Sequence, residues 1–206
     1  MKNIFTALTL SSVLLATSAV APAQSTNDLS EVVAHMQATT TMSGNFTQTD
    51  RNGKSLTGKI LLKRPGHVRF EYQKGIPLLI VADGNSLTMI DYEVKQVQRW
   101  PIKNSPLAAL LDPGKDLARY GKRVSTADKN VISVEVKDPK RPEYGTITMI
   151  FVRQAGAPAG LTLNGWVALD SKNNRTSIRL SGLKFNAPIA QSNFTWKDPR
   201  PTKRKQ

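Results

Sequence analysis

The chain of 206 residues contains no cysteine. It can therefore form no disulfide bond and no thiolate metal site, and it has no cysteine to which a lipid anchor could be attached. Its stability must come from a packed core, and roughly 180 residues behind a leader are enough for one sizeable core. We therefore expect one domain that is freely soluble once it has been processed.

The residues that usually carry catalysis are also scarce. There are two histidines and 15 carboxylates, and neither His35 nor His67 has a partner at metal-ligand spacing or a nearby G-x-S-x-G motif. No glycine-rich loop is present that could cradle a phosphate, which argues against nucleotide binding. We interpret both histidines as surface or packed side chains and expect no enzymatic activity, no cofactor and no metal.

The N-terminal segment has the pattern of a secretory signal peptide. Lys2 precedes an uncharged run over residues 3–20, and Ala21-Pro22-Ala23 follows as a small-x-small cleavage site. A membrane anchor is the alternative, but the run is short, contains serine and threonine, and lacks a basic stop-transfer cluster after it. Residues 1–23 are thus predicted to be removed, which leaves Gln24 as the first mature residue and places the protein in the periplasm.

Positive charge is in large excess, with a formal net charge of +14. In a cytoplasmic protein this would suggest a nucleic-acid partner, but export argues against one. In the cell envelope the same charge favours anionic lipid surfaces or acidic protein docking sites, and simple solubility is an equally good explanation. Residues 197–206 are especially basic, and we interpret them as a solvated tail behind a domain over residues 24–196.

Two short helices are predicted. Asp28 and Glu31 resemble a helix cap, and apolar residues then recur at helical spacing. Ser105-Pro106 predicts the start of a second, very short and apolar helix that Asp112-Pro113-Gly114 ends. The apolar residues are Leu29, Val32, Val33 and Met36 in the first helix, and Leu107, Leu110 and Leu111 in the second.

Elsewhere the period changes to two from Met42 onward, and Asn52-Gly53 is a hairpin signal. Strand and turn patterns then alternate almost to the end, without an internal repeat. The sequence predicts a mainly β (α+β) domain, built as one long antiparallel meander with two small helical insertions. On the third strand Val68, Phe70 and Tyr72 alternate with polar neighbours, so we expect that set to face the interior, away from solvent.

Several short motifs in a fixed order resemble the LolA family of periplasmic outer-membrane lipoprotein carriers. The resemblance covers essentially the whole mature chain. The motifs are Gly44-x-Phe46-x-Gln48, Lys63-Arg64-Pro65-Gly66, Phe70-Glu71-Tyr72, Ile80-Val81-Ala82-Asp83-Gly84, Ser105-Pro106-Leu107, Gly165-Trp166 with Asp170, Asn174 and Thr176, and Phe194 before a proline-rich tail.

This resemblance implies an incomplete antiparallel β-barrel, or half-barrel, whose concave face is covered by short helices over an apolar cavity for acyl chains. The implied partners are acylated lipoproteins, an inner-membrane ABC transporter that releases them, and either an outer-membrane receptor or the outer membrane itself; the protein is expected to be a monomer. The predicted cavity residues are Val68, Phe70, Tyr72, Leu79, Val81, Leu87, Met89, Leu107, Leu110 and Leu111.

By the same resemblance, Arg64 is expected to hydrogen-bond to the helices over the cavity mouth and lock them. A guanidinium has five donors, so it can satisfy several helix-end carbonyls. Val68 departs from the family, which often has an aromatic residue there. Two alternatives remain open: a related half-barrel for another lipid or glycolipid, and a basic envelope interaction domain without cargo.

Overall fold

The computed structural model describes residues 28–104, 107–111, 117 and 119–201. The predicted signal peptide and its cleavage site therefore lie outside the described residues. So do Ser105-Pro106 and Asp112-Pro113-Gly114, which were expected to bound the second helix, and the last five residues of the tail.

The described chain is dominated by β-strands, as the alternating pattern predicts. Helix α1 covers Ser30–Ala38, and α2 covers Ala108–Leu111. The strands are β1 Thr41–Thr49, β2 Ser55–Lys63, β3 His67–Tyr72, β4 Leu78–Asp83, β5 Ser86–Asp91, β6 Gln96–Pro101, β7 Gly121–Val124, β8 Val131–Val136, β9 Thr146–Arg153, β10 Leu161–Leu169 and β11 Arg175–Phe185, and the short 3₁₀ helices are Ile102–Asn104, Pro142–Tyr144, Pro158–Gly160 and Gln191–Phe194.

All these strands form one antiparallel sheet with the order β6-β5-β4-β3-β2-β1-β11-β10-β9-β8-β7. Two meanders, β1 to β6 and β7 to β11, are joined where β1 pairs with β11. Because β6 and β7 lie at opposite edges, the sheet is not closed, and the chain between them must cross from one edge to the other. The predicted class, an incomplete antiparallel barrel, is confirmed.

The sheet is strongly curved. Phe70 on β3 and Trp166 on β10 have ring centroids 6.0 Å apart, although four strand spacings separate them, which would be about 19 Å in a flat sheet. Gly58 contributes to the close packing inside this curve, since a Cβ there would lie 2.6 Å from the Phe46 ring. We call the side of the sheet that carries Phe46, Phe70 and Trp166 the inner face.

The main core lies on the inner face and includes both helices. Val32 and Met36 of α1 are 1% exposed, and Leu110 and Leu111 of α2 are fully buried. Helix α2 lies on the connection between the edge strands, so this connection covers the inner face. Within the described part of the chain, no helix is long and apolar enough to cross a bilayer.

The start of α1 differs from the expected cap. Asp28 accepts a hydrogen bond from the Ser30 amide at 2.9 Å, but the helix begins only at Ser30. Glu31 does not fold back on this end. It pairs with Arg153 on β9, with Nη2 to Oε1 at 2.9 Å, because the sheet brings that guanidinium beside the first turn.

The outer face of the first meander is covered as well. Residues 186–201, which we call the C-terminal strap, pass across it and place Phe194 in a second apolar cluster with Leu79, Val81 and Ile90. The strap is held by Arg69, whose Nη1 donates to the carbonyls of Asn193 at 3.3 Å and Thr195 at 3.1 Å.

This second cluster corrects the sequence prediction for β4. Leu79 pairs with Glu71 and Val81 pairs with Arg69, and directly opposed residues of an antiparallel pair lie on the same face. Leu79 and Val81 therefore lie on the outer face, and the prediction that they share a face with Val68 is wrong. Ile80 and Ala82, opposite Phe70 and Val68, take the inner positions.

Candidate functional site

An apolar cavity of about 410 Å³ lies on the inner face, within the range of roughly 300–1,000 Å³ typical of ligand sites. It is open at one end, where polar residues of the β10–β11 turn form the rim. The lining residues are Gln48, Phe70, Tyr72, Ile80, Leu87, Trp100, Leu107, Glu143, Tyr144, Trp166, Ala168, Leu169, Asp170, Ser171, Asn174, Thr176 and Ile178.

Aromatic side chains build one wall of this cavity. The Phe46 ring lies edge-on to Phe70 at 5.3 Å and to Tyr72 at 5.1 Å, measured between centroids, a geometry that aromatic pairs prefer. The Tyr72 hydroxyl donates to Gln48 Oε1 at 2.6 Å. Burial raises the pKa of Tyr72 to about 12, so the hydroxyl stays protonated and the wall carries no charge at this point.

Helix α2 lies beside the cavity, in the core around it. It is preceded by Leu107, which lines the cavity and whose carbonyl accepts from the amides of Leu110 and Leu111, both at 3.0 Å. A helix of four residues is unstable alone, so packing must hold it in place. One further anchor comes from the hairpin between β2 and β3, where the Gly66 amide donates to the Leu111 carbonyl at 3.2 Å.

Arg64 lies in the same hairpin and reaches the end of the other helix. Its Nη1 donates to the carbonyl of Thr39, the residue that ends α1, at 2.6 Å. Its buried Nε has no acceptor among the described residues. Burial lowers the pKa of Arg64 to about 10, which leaves the side chain charged at neutral pH. The K-R-P-G hairpin thus contacts α1 through Arg64 and α2 through Gly66.

The structure sorts the ten predicted cavity residues into four groups. Phe70, Tyr72, Leu87 and Leu107 line the cavity. Val68, Leu110 and Leu111 are buried in the core around it. Met89 pairs with Ile80 and is half-buried, on the inner face but off the lining. Leu79 and Val81 lie on the outer face under the strap.

Sequence reasoning missed Trp100 and the cavity-lining residues of β10 and β11. Ile178 lies in a strand that alternates with period two, and Trp166 pairs with it across β10 and β11. The segments around Trp100 and Trp166 do not alternate regularly, so their faces could not have been assigned within the strand. Nothing local shows that β10 and β11 curve back toward β3, since this follows from pairing between β1 and β11.

The two histidines lie away from the cavity. His35 is 1% exposed, and its Nδ1 donates to the Pro158 carbonyl at 2.8 Å, so it is a packed side chain. His67 lies under the strap beside Phe194, with ring centroids 5.3 Å apart. Among the described residues, no three histidine, aspartate or glutamate side chains are grouped as metal ligands would be. The cavity offers mainly hydrocarbon contacts, with Gln48, Tyr72 and Glu143 among the polar groups in its lining.

Known proteins of one family resemble this chain in sequence. The family model described as outer membrane lipoprotein carrier protein LolA matches residues 37–197. Two outer-membrane lipoprotein carrier proteins are similar to this chain in sequence. That of Chromobacterium violaceum is 30% identical, and the alignment covers 97% of this chain and 96% of the relative. That of Xanthomonas campestris is 30% identical, and the alignment covers 75% of this chain and 77% of the relative.

Two solved structures show a distant likeness to this chain. A LolA superfamily protein from Nitrosomonas europaea aligns with a TM-score of 0.47 and 10% identity, over 84% of this chain and 99% of that one. A chain in the Pseudomonas aeruginosa MucA/MucB complex aligns with a TM-score of 0.48 and 14% identity, over 82% of this chain and 60% of that one. The family assignment therefore rests on sequence: the chain belongs to the LolA family of outer membrane lipoprotein carrier proteins.

Proposed function

We propose that this protein is a periplasmic carrier that binds acyl chains of lipoproteins in the apolar cavity and ferries them from the inner to the outer membrane. The observation that carries the proposal is the cavity itself, an apolar space between the curved inner face and the segment that bears α2. Family membership supports a lipoprotein as the cargo.

The energetics favour transfer without catalysis. Each methylene removed from water contributes about 0.8 kcal/mol, so complete burial of three acyl chains would exceed what non-covalent binding delivers. A cavity of about 410 Å³ would hold only part of that hydrocarbon, which keeps release feasible. We infer that an inner-membrane ABC transporter loads the carrier, and that an outer-membrane receptor or the outer membrane itself unloads it. The carrier acts as a monomer.

Helix α1 and the connection that bears α2 would together serve as the lid. Its two anchors in the K-R-P-G hairpin are single hydrogen bonds to helix ends, from Arg64 to Thr39 and from Gly66 to Leu111. An acyl chain that competes for the surface under α2 would displace the short helix, because its stability comes from that same surface.

Periplasmic location follows from the proposed removal of residues 1–23. The intact mass of protein purified from the periplasm should correspond to a chain that begins at Gln24. A mass that retains the leader would contradict both the cleavage site and the compartment.

Site-specific photo-crosslinking tests the carrier function. A photoreactive residue at Trp100 or Phe70 should capture acylated lipoprotein in cells, because both positions line the cavity. The matched control is Lys59, an exposed residue of β2 whose neighbours across the strands are Asn45 and Glu71. Capture from Lys59 but not from the cavity positions would refute the proposal.

A further inference from the structure

A second cavity of about 320 Å³ adjoins the first. Tyr144 lines both, and the α2 segment separates them, since Leu107 faces the apolar cavity while Ala108 and Ala109 line the second one. The remaining lining of the second cavity is Lys103, Arg119, Tyr120, Val136, Asp138, Lys140, Arg141 and Gly145.

This second cavity is strongly basic. Four cationic side chains face one carboxylate, that of Asp138, among its described lining residues. Two of the cations lie over tyrosine rings, with Arg119 5.1 Å from the Tyr120 centroid and Arg141 5.3 Å from the Tyr144 centroid. Such stacking orients a guanidinium and leaves its edge able to bind an anion.

The chemistry of these groups fits phosphate. Arginine forks bind phosphate oxygens in pairs, lysine adds point charges, and a tyrosine hydroxyl adds a neutral donor. The anchor of a triacylated lipoprotein does not require such a site, because its amide, thioether and ester groups carry no charge. A glycerophospholipid joins both features in one molecule, with a phosphate a few bonds away from its acyl chains.

The geometry points to a second ligand class: an anionic glycerophospholipid whose phosphate occupies the basic cavity at Arg119, Lys140 and Arg141 while an acyl chain enters the apolar cavity past Tyr144. The chain-binding half of this inference rests on the proposed function, because both use the same apolar cavity. Three carboxylates oppose the anion, namely Asp138 in the basic cavity and Glu143 and Asp170 in the lining of the apolar one, so the four cations must outweigh them.

Lipid titration of the full mature protein tests the inference. Dioctanoylphosphatidylglycerol is the anionic probe, dioctanoylglycerol lacks the phosphate, and inorganic phosphate lacks the chains. Calorimetry gives the affinities, and tryptophan fluorescence reports chain entry, because Trp100 and Trp166 line the apolar cavity. The test variant is R119Q/K140Q, which removes two exposed cations from separate segments and leaves the apolar lining intact.

The matched control is K54Q/K129Q, which makes the same change of net charge at exposed positions outside both cavities. We expect R119Q/K140Q to weaken phosphatidylglycerol binding about tenfold or more, the loss of roughly one charge-assisted contact. Its affinity for dioctanoylglycerol should be unchanged, and the control should bind both lipids like the parent.

Each other outcome overturns the inference. Equal phosphatidylglycerol affinity in parent and R119Q/K140Q would refute it while dioctanoylglycerol binding still supported the proposed function. Failure of the parent to bind either lipid would refute both this inference and the proposed function. Saturation by inorganic phosphate that leaves lipid affinity unchanged would assign the basic cavity to free phosphate. If R119Q/K140Q melts lower, K103Q/R141Q replaces it, and unchanged phosphatidylglycerol affinity there would refute the site.

Discussion

The two meanders of the sheet differ in what covers their outer faces. On the first, Leu79 is 4% exposed, Val81 1% and Ile90 0%, because the C-terminal strap lies over them. On the second, Ile150 and Val152 of β9 are only half-buried, and Val124 of β7 is 41% exposed. The first meander thus has an apolar cluster on each face, whereas the second has a single core face.

The polar residues of the first meander explain how the strap is held there. Lys63 and Arg69 occupy outward positions that period-two alternation assigns to solvent. Instead, Lys63 Nζ donates to the Ile189 carbonyl at 3.1 Å, and Arg69 donates to Asn193 and Thr195. The comparison shows that an outward cation can stabilise a covering segment by satisfying its backbone carbonyls.

The largest expected effect comes from removal of the strap's apolar anchor. Phe194→Ala should lower the free energy of unfolding by about 3–5 kcal/mol, since it leaves a cavity over Leu79 and Val81. Urea denaturation measures this. Ile150→Ala, on the uncovered outer face, is the matched variant and should cost only about 1 kcal/mol. Equal losses would mean that the strap contributes no more than ordinary surface packing.

Substitutions on opposite faces of the first meander should affect stability and cargo binding separately. Leu79→Ala should lower the free energy of unfolding by about 2–3 kcal/mol and leave acyl-chain affinity unchanged. Trp100→Ala, at a half-buried cavity position, should weaken acyl-chain binding about tenfold, which corresponds to about 1.4 kcal/mol. Denaturation and lipid titration on both variants check this. Weakened binding in Leu79→Ala would contradict the outer-face assignment.

Two arginines of the first meander offer a smaller test. Arg64→Leu should fold but lose about 1–3 kcal/mol of stability, because the Thr39 carbonyl is left without its donor, and it should deliver lipoprotein poorly. Arg69→Leu, which removes donors to the strap instead, should leave delivery intact. Transfer of lipoprotein to outer-membrane vesicles measures delivery. Normal delivery by Arg64→Leu would remove this residue from the proposed lid.

The smallest effect concerns His35, which packs α1 against Pro158 and Phe151 of the second meander. Burial lowers its folded-state pKa below the ordinary value of 6.5. The unfolded chain then binds more protons, so this contribution to stability is complete above about pH 6.5 and decreases as the pH falls toward the folded pKa.

Urea midpoints at pH 7.5, 6.5 and 5.5 should therefore fall in the parent. His35→Phe cannot titrate, so its midpoint should change less over this range, although the lost bond to Pro158 lowers it overall. This range lies above the pKa of the paired carboxylates, such as Glu31, which is itself held below its usual 4.5 by Arg153. The same slope in both proteins would show that His35 does not set the pH dependence.

The β4 strand shows where sequence reasoning failed. The run from Leu78 to Ala82 is apolar without alternation, which is typical of a strand covered on both faces. The prediction treated the strand as covered on one face and chose the wrong set. The second cover is a segment more than a hundred residues later, and nothing within β4 identifies it. On β3, where polar and apolar residues alternate strictly, the predicted face of Val68, Phe70 and Tyr72 is confirmed.

Sequence by itself determined the strand content, the antiparallel meander, the short apolar helix and the family, because these depend on local periodicity, turn residues and motif order. Tertiary structure alone decided which face of β4 is inner, which tryptophans line the cavity, and that basic side chains from residues 103, 119 and 140–141 converge beside it. These depend on β1 pairing with β11, a contact between residues about 140 positions apart. Local pattern carries no information about a pairing at that separation, and the curvature that brings β3 close to β10 arises only in the completed sheet.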